Sequence, residues 1–516
     1  MYKVSPFYPH PLLDIRFAEG PSSESIVAIF ISPEGQTFCA KDATALATAY
    51  LPETARKLFP NKAGQSAFIA GPNITVLLIC VEPKGHTALE DLAKLGGIIV
   101  RSCRDKSIDR VYVNADRTTI LLEGFEENIC LRAFLQGMHS ATYRMEDFKT
   151  TKASGLAPAV VEVSSDLVFK EDAPRLLALV SSLASAEHFS RRLIDLPAQP
   201  GCMETEDAVA LLREIVASNE GVEGTFFVDE ELRREGLNAV YSVGQGSDHR
   251  PALVALRYNG ASSKTPTIAL VGKYVVFDTG GEDIKPADEF ANMKSDMGGG
   301  AMALAAFLTC VKLHQPVNLV LVLSIVDNAP SGKSQHPGTI IPIYHSKSVE
   351  VGNTDAEGRL ILVDGIRYAE VNHKPDYLIS IATLTGACVG ALGHDFAGLF
   401  AKTPRMAEAL KVASARSGDL VWQLPLAEAR HINLEKGRAG ELADVCSTGH
   451  KKVGGATTAG KFILLEHCQT KEAAHLDVAG PSVQGHDRTG EKAVFSSGYG
   501  PILLWEAIQA LSGQQS

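Results

Sequence analysis

Acidic residues gather at the ends of strongly apolar segments in the middle of this 516-residue chain. Asp278 ends the segment VGKYVVFD, Asp296 follows in ANMKSDMGGG, and Asp355 and Glu357 lie in VGNTDAEGRL. Each acid taken alone is typical of a turn or a helix cap. Carboxylates delivered to one crevice, however, repel each other unless a cation lies among them, and carboxylate-rich sites suit divalent ions. The combined pattern therefore predicts a metal-binding site.

The spacing of these residues gives two further indications. Asp355 and Glu357 are two residues apart, so in an extended turn both side chains can point the same way. Lys273 lies five residues before Asp278, and the two bracket the end of a predicted strand. A lysine among acids is either a salt-bridge partner or a group with a metal-binding or catalytic role, and the spacing leaves both interpretations open.

The segments that carry these residues alternate between strand and helix from Thr265 onward. Near-continuous Val, Ile and Leu runs separated by helices predict a parallel sheet covered on both faces. Ligands of such sheets bind beyond the carboxyl ends of the strands, which is where Asp278, Asn328 and Asp355 fall. The successive segments are TPTIALVGKYVVFD, GGGAMALAAFLTCVKL, VNLVLVLSIV, RLILVDGIRYAEV and DYLISIATLTG.

The first part of the chain has α/β patterning but no recognisable site chemistry. Residues 25–31 and 75–81 are predicted strands, and residues 42–50 are a predicted helix with one apolar stripe. Thr, Ser, Gly and Pro gather in residues 150–159, which indicates a junction. A helical pattern follows over residues 173–194.

The chain is longer than one hydrophobic core supports, so we expect two α/β domains. Residues 1–160 are predicted to form a smaller N-terminal α/β domain with a structural or oligomerisation role, and residues 161–195 a connecting segment with a helix. Residues 196–516 are predicted to form a larger C-terminal domain with a mostly parallel central sheet covered by helices. Thr205, an acidic residue after it and the amphipathic run 209–216 predict a capped helix near its start.

Charge and cysteine content restrict the partners and the compartment. The net charge of -11 opposes the basic surface that nucleic-acid binding requires. The nine cysteines are scattered and never form a C-x-x-C pair, which is typical of reduced thiols inside the cell. The first twenty residues contain no secretory signal pattern, and the longest apolar run, residues 317–326, is shorter than the ~20 residues of a membrane-spanning helix. We expect a cytoplasmic protein that binds neither nucleic acid nor membrane.

The segment NTDAEGRL, residues 353–360, reproduces without change the signature octapeptide of the leucine aminopeptidase family. The chain also resembles that family in ATLTG at 382–386, GGATTAGKF at 454–462 and HLDVAG at 475–480. The resemblance is strong from about Leu193 to the C-terminus. Before that residue it extends only to size and α/β character.

The resemblance implies a role for each residue that matches the family pattern. Asp278 and Glu357 would bridge two metal ions, and Asp355 would also offer its backbone carbonyl. Lys285 matches the catalytic lysine that polarises the scissile carbonyl and stabilises the oxyanion. Arg359 matches the arginine that anchors a bicarbonate ion, which would shuttle the proton of the attacking water. The implied metal ligands are Lys273, Asp278, Asp296, Asp355 and Glu357.

The same resemblance implies a pocket for the first side chain of a substrate. For its members, ordinary core or loop packing is the alternative to substrate contact. The sequence departs from the family pattern in two places. Thr279 replaces the usual serine after Asp278, a change that keeps the hydroxyl. The segment NAPSGKSQHPGT, which begins at Asn328, differs from the usual Asn-Met and Pro-Gly-Asp pattern, and this second departure puts the pocket shape in question. The implied pocket residues are Met293, Thr383, Leu384, Gly386 and Ala479.

The function implied by the resemblance is that of a leucyl aminopeptidase, a homohexameric metalloprotease. It would use a water activated by two divalent ions to remove N-terminal leucine and other neutral residues from peptides with a free amine. Zinc or manganese is the expected metal, and magnesium and cobalt also accept this ligand set. Two alternatives remain: a dipeptidase for cysteinylglycine-type substrates, and a catalytically silent member with a structural role. DNA binding, as reported for some bacterial relatives, is disfavoured by the negative charge.

Overall fold

The computed structural model describes most of the C-terminal part of the chain and selected segments of the N-terminal part. The predicted helix over residues 42–50 lies outside the described residues, as do residues 152–157 of the predicted junction. The described residues are 13–18, 26–31, 66–70, 75–80, 89–115, 120, 122, 124–151, 158–166, 171–426, 442–448, 454–483, 485–489, 493 and 495–513.

Two compact units divide the chain. One is built from Pro9–His188 and Asp487–Glu491, and the other mainly from Phe189–His486 and Lys492–Ser516. The division between His188 and Phe189 therefore falls inside the helix Ala173–Asp195, within residues 161–195, which are predicted to be a connecting segment. The limits of the three predicted segments stay a prediction.

The smaller unit contains a sheet with strand order β1-β6-β5-β2-β4-β3. Its described pairs are parallel except for β3 and β4, which are antiparallel. The strands predicted at 25–31 and 75–81 are confirmed as β2 and β4. The elements are β1 (Asp14–Phe17), β2 (Ile26–Ile31), β3 (Ser66–Ala70), β4 (Thr75–Cys80), α1 (Leu89–Asp105), β5 (Arg110–Asn114), α2 (Glu127–Ser140) and β6 (Val160–Ser164).

Two helices precede the second sheet. The predicted helix over 173–194 is observed as α3 (Ala173–Asp195). The next helix, α4 (Thr205–Ser218), starts one residue earlier than the sequence suggested, because Glu204 rather than Thr205 is its N-cap. The Glu204 backbone N–H donates to the Asp207 carboxylate at 3.1 Å, and this bond satisfies one of the donors exposed at the helix start.

The larger unit is organised around an eight-stranded sheet with strand order β15-β14-β17-β13-β9-β10-β8-β7. The four neighbouring strands β17, β13, β9 and β10 are parallel, whereas β14, β8 and β7 pair antiparallel to the strands on their inner sides. The strands of this sheet are β7 (Val222–Val228), β8 (Ala252–Asn259), β9 (Thr267–Asp278), β10 (Asn318–Asn328), β13 (Tyr377–Ala382), β14 (Ala397–Ala401), β15 (Val421–Gln423) and β17 (Glu472–Asp477). A separate three-stranded sheet consists of β11 (Ile340–Pro342), β12 (Ser348–Glu350) and β16 (Val445–Cys446).

Helices cover this sheet, which confirms the predicted fold class. The helix α8 (Glu357–His373) packs on β9 and β10, and its residues Leu362 and Ile366 share a buried cluster with Val271 of β9. The helix α7 (Gly298–Lys312) packs against β9 and β13 and contacts α12 (Pro501–Ser512). The helices are α5 (Glu230–Glu235), α6 (Asn238–Gly244), α7 (Gly298–Lys312), α8 (Glu357–His373), α9 (Gly386–Leu392), α10 (Pro404–Ser417), α11 (Gly455–Lys461) and α12 (Pro501–Ser512).

Among the residues that the structure describes, no helix is both long and apolar enough to cross a membrane. The seven cysteines whose side chains are described are buried and form no disulfide with one another.

Candidate active site

The parallel strands at the centre of the larger sheet deliver polar residues to one edge. Asp278 ends β9 and pairs in register with Asn328, the last residue of β10. Asp477 ends β17 and pairs in register with Ala382, the last residue of β13. Because the carboxyl ends of parallel strands meet at the same edge, these residues and the loops that follow them form one site.

Three of the predicted metal ligands lie together at this edge. One carboxylate oxygen from each of Asp278, Asp355 and Glu357 lies within 4.8 Å of the others. Asp278 and Glu357 are buried, whereas the Asp355 side chain is 34% exposed. The turn that carries Asp355 is not extended as expected: Thr354–Ala356 form one turn of 3-10 helix, and Glu357 is the first residue of α8. Helical curvature, rather than strand alternation, brings these two carboxylates into one cluster.

Lys273 connects the remaining acid to this cluster. Its Nζ lies 2.7 Å from Asp296 Oδ2 and 2.8 Å from Glu357 Oε1, and it donates to the Thr383 carbonyl at 3.0 Å. The lysine stem runs close to the start of α8, where a Cβ on Gly358 would lie 2.7 Å from Lys273 Cε. A glycine is therefore required at that position if the lysine is to reach the acids.

Lys285 approaches the cluster from the loop after β9. Its Nζ lies 2.8 Å from Asp278 Oδ2 and also contacts Asp355 Oδ1. The loop turns sharply at Gly280 and Gly281, whose φ angles of 91° and 65° lie in the region that glycine favours. The Lys285 backbone N–H then donates to the Thr279 carbonyl at 2.9 Å, which closes the loop.

Asn328 is a residue to which sequence reasoning gave no role, although it falls at the predicted strand edge. Its Nδ2 donates to Asp278 Oδ1 at 2.8 Å and to the Thr354 carbonyl at 3.2 Å. The Thr279 hydroxyl donates to the Asn328 carbonyl at 2.7 Å, so the hydroxyl retained at position 279 has a defined partner. Asn328 therefore orients the Asp278 carboxylate.

The electrostatics of the site reflect an excess of acids over lysines. Burial raises the pKa of Asp296 well above its usual range, and burial together with Glu357 raises the pKa of Asp278. Burial and the Asp278 charge raise the pKa of Asp355 to about 6. Burial also opposes the charge on Glu357, but Lys273 and Lys285 outweigh it, so the pKa of Glu357 is lowered. Four acids facing two lysines thus hold more negative charge than the lysines balance.

One carboxylate oxygen of the site, the buried Glu357 Oε2, makes no hydrogen bond among the described residues. Asp296 Oδ2 is paired with the Lys273 ammonium at 2.7 Å. Buried carboxylate oxygens without donors are costly unless a cation binds them. Oxygen ligands with surplus negative charge fit hard or borderline divalent ions, so the residues present suit the metal that the sequence predicts.

Arg359 lies two residues after Glu357 in α8. Among the described residues, it makes no hydrogen bond to the acid cluster. Its Nη1 donates to the Ser447 carbonyl at 2.9 Å, and its Nε has no hydrogen-bond partner among the described residues. Burial lowers the pKa of Arg359 to about 10, although Glu357 and Asp477 oppose that shift.

The predicted pocket residues occupy three neighbouring segments. Met293 lies in the 3-10 helix Phe290–Ser295, which leads directly into Asp296. Thr383 donates from its hydroxyl to Asp296 Oδ1 at 2.8 Å, and Gly386 is the first residue of α9. The backbone N–H groups of Leu384 and Ala479 both donate to Asp477 Oδ1, at 3.2 Å each. The loops after β13 and β17 are thus both hydrogen-bonded to Asp477, an acid that was not among the predicted site residues.

With this site in place, the class of protein follows from comparison with known sequences. The chain belongs to the cytosol aminopeptidase family, because a sequence model of that family's catalytic domain matches residues 188–504. The resemblance and the enzyme class inferred from the octapeptide are confirmed.

Individual relatives agree with this assignment. A probable cytosol aminopeptidase of Chlorobium limicola is 33% identical over 432 residues, which cover 82% of this chain and 84% of the relative. The solved structure of the bottromycin maturation enzyme BotP in complex with Mn is 25% identical with a TM-score of 0.79, and the match covers 95% of this chain and 100% of that one. A leucine aminopeptidase structure from Caenorhabditis elegans is 26% identical with a TM-score of 0.74, and the match covers 98% of each chain.

Proposed function

We propose that this protein is a two-metal aminopeptidase that removes leucine and other neutral residues from the N-termini of peptides. The observation that carries the proposal is the cluster of Asp278, Asp355 and Glu357 oxygens within 4.8 Å of one another, with the Lys285 ammonium beside it. An acid cluster of this kind, in a chain of the cytosol aminopeptidase family, is best explained as a metal site that performs the family's chemistry.

Five residues would hold the metal ions: Lys273, Asp278, Asp296, Asp355 and Glu357. Two divalent ions, when bound, would supply Lewis acidity and a water of lowered pKa. Manganese or zinc is the proposed metal, and the Mn named for the BotP structure supports manganese.

The chain's own residues would divide the remaining tasks. Lys285 would donate from its ammonium to the carbonyl oxygen of the scissile bond, where negative charge develops in the transition state. Arg359 would hold a bicarbonate ion, and its Nε without a described partner is a donor suited to such an anion. Met293, Thr383, Leu384, Gly386 and Ala479 would line the pocket for the first side chain.

Exopeptidase specificity would follow from the same arrangement. A peptide with a free N-terminal amine offers a neutral nitrogen ligand beside the scissile carbonyl, and an internal peptide bond offers none. Because the site is rich in carboxylates, it would also attract the amine end of a peptide rather than its carboxylate end.

We further propose a homohexamer in the cytoplasm. The family resemblance supports the assembly, and the name cytosol aminopeptidase carried by the relatives supports the location. Light scattering that shows an active monomer at the assay concentration would reject the hexamer.

The test begins with metal-free protein reconstituted with Mn or Zn. We expect two metal ions per chain by elemental analysis, hydrolysis of leucine amide, and no hydrolysis of N-acetylleucine amide, in which the amine is blocked. Glu357→Gln should lose metal and activity, whereas Glu289→Gln, at an exposed acid of the nearby loop, should retain both. Wild-type protein that binds no metal or cleaves no aminoacyl amide would reject the proposal. If cysteinylglycine, assayed beside leucine amide, is cleaved preferentially, the alternative of a cysteinylglycine-type dipeptidase is favoured instead.

A further inference from the structure

A buried acid at the carboxyl end of β17 connects the two loops that carry most of the proposed pocket. Asp477 is 1% exposed. Its Oδ1 accepts from the backbone N–H groups of Leu384 at 3.2 Å, Thr385 at 3.4 Å and Ala479 at 3.2 Å, and its Oδ2 accepts from the Thr385 hydroxyl at 2.6 Å. One carboxylate therefore fixes the start of both loops.

The peptide unit between Thr383 and Leu384 is held at both of its polar ends. The Leu384 N–H points to Asp477, and the carbonyl of Thr383 accepts from Lys273 Nζ at 3.0 Å. Since a peptide unit is planar, two such bonds determine its orientation. The Thr383 side chain, which donates to Asp296 Oδ1, is fixed by the same arrangement.

The Thr385 hydroxyl connects Asp477 to the start of α9. It donates to Asp477 Oδ2 and accepts from the Cys388 backbone N–H at 3.0 Å, as the N-cap of α9. The position of Gly386, the first residue of that helix, is set by this cap.

We infer that Asp477 is a positioning residue for substrate specificity. It holds Leu384 and Ala479 through their backbone N–H groups, and Gly386 through Thr385, at the spacing that selects a large apolar first side chain. The inference rests on the proposed aminopeptidase function. Asp477 does not touch the substrate. It acts by fixing the loops that do.

The energetic reason is that discrimination between apolar side chains of different size depends on how closely the pocket walls fit. Each methylene in a well-formed pocket contributes about tenfold or more to selectivity, and a wall that can move loses part of that contribution. A hydrogen bond to a charged acceptor is worth about tenfold or more in an equilibrium, so losing one is sufficient to loosen the wall.

Thr385→Val tests the inference without removing the buried acid, whose loss would leave several backbone donors without an acceptor. Thr385→Ser keeps the hydroxyl and serves as the conservative variant. Thr403→Val is the matched control, because Thr403 also caps a helix, α10, and donates to a β17 carboxylate, that of Glu472 at 2.7 Å, at the opposite end of the strand.

For each variant, kcat and KM are measured with leucine amide and alanine amide, together with metal content and thermal midpoint. We expect Thr385→Val to reduce the preference for leucine over alanine about tenfold, mainly through KM, with metal content unchanged. Thr385→Ser should keep the wild-type preference, and Thr403→Val should keep it despite a similar loss of thermal stability.

Two results would overturn different parts of the argument. If Thr385→Val changes the preference no more than Thr403→Val does, the positioning role is wrong and the proposed function stands. If the wild-type protein cleaves neither amide in the presence of Mn or Zn, the proposed function itself fails and the inference falls with it.

Discussion

At the scale of single residues, Lys285 places a positive charge directly beside the acid cluster. Its ammonium contacts Asp278 and Asp355, and although burial opposes its charge, Asp278 and Glu357 outweigh burial and raise the pKa of Lys285. The side chain is therefore cationic at neutral pH. A fixed cation next to the reacting carbonyl stabilises charge that appears only in the transition state.

We therefore predict that Lys285→Ala lowers kcat by about 10²–10³ while KM and metal content change little. Steady-state kinetics with leucine amide and elemental analysis measure the three quantities. Lys333→Ala, at an exposed loop lysine, is the control and should behave as wild type. Loss of metal, or equal changes in KM and kcat, would show that Lys285 has a different role.

Lys273 gives a second prediction at this scale, because its proposed role as a metal ligand can be separated from that of an ion-pair partner. Its ammonium pairs with Asp296 and Glu357 in the structure, and the family resemblance implies that it is a metal ligand. If it is a ligand, Lys273→Ala retains one tightly bound ion and loses the other, as measured by elemental analysis after dialysis. If Lys273 were only an ion-pair partner, the variant would keep two ions, since the four acids would then face the ions without the Lys273 ammonium among them.

The residues of the acid cluster could be predicted from the sequence, whereas their supports could not. Asp278, Asp355 and Glu357 follow apolar segments, and that pattern is visible along the chain. Asp477 also ends an apolar strand, but its role depends on backbone N–H groups contributed by residues more than ninety positions away. Backbone donors carry no signature in the side-chain sequence.

At the scale of elements, the loop after β9 and the turn before α8 are fastened together by Thr354. Its buried hydroxyl donates to the Gly280 carbonyl at 2.7 Å and accepts from the Asp283 N–H at 2.8 Å. In return, the Thr354 N–H donates to Asp283 Oδ2 at 2.8 Å. The segment that carries Lys285 is thus fixed to the segment that carries Asp355.

We predict that Thr354→Val, which preserves shape but removes the hydroxyl, lowers the free energy of unfolding by about 1–3 kcal/mol, because the buried Gly280 carbonyl loses its donor and the Asp283 N–H loses its acceptor. Urea unfolding of the metal-free protein measures the change. Thr354→Ser restores the hydroxyl and should recover most of the loss. A valine variant as stable as wild type would show that the two segments are held by other contacts.

Element types followed from the sequence more readily than their local geometry. The five predicted segments are observed as β9, α7, β10, α8 and β13, because continuous apolar runs and helical periodicity differ clearly. The short strands β11 and β12, which lie between β10 and α8, were not predicted. The turn at Asp355 and Glu357 was expected to be extended and is instead a 3-10 turn that enters α8. Two acids at this spacing are compatible with either geometry, so side-chain types alone could not decide between them.

At the scale of the whole molecule, buried titratable groups determine how stability responds to acid. Burial lowers the pKa of His467 and of His475 to about 3. Each ring has Nδ1 near a serine hydroxyl, 3.0 Å from Ser346 and 2.9 Å from Ser380 respectively, and an Nε2 without a hydrogen-bond partner among the described residues. Both histidines are therefore neutral in the folded state at neutral pH.

The sign of their effect follows from proton linkage. A histidine of the unfolded chain titrates near ~6.5, so between that pH and about 3 the unfolded state binds more protons than the folded state. Stability contributed by a buried neutral histidine is present above pH ~6.5 and is lost as the pH falls. Acids with a raised pKa act in the opposite direction: burial raises the pKa of Asp364 to about 7, so its folded state takes up a proton first.

Because these groups oppose each other, the informative quantity is the difference between wild type and a variant without one buried ring. We predict that the free energy of unfolding of His475→Asn, relative to wild type, rises by about 1.4 kcal/mol per pH unit as the pH falls from 6 to 4, whatever the variant's stability at pH 7. Urea unfolding at half-unit pH steps measures both curves. Parallel curves for wild type and His475→Asn would mean that the buried ring accepts a proton in the folded state at little cost.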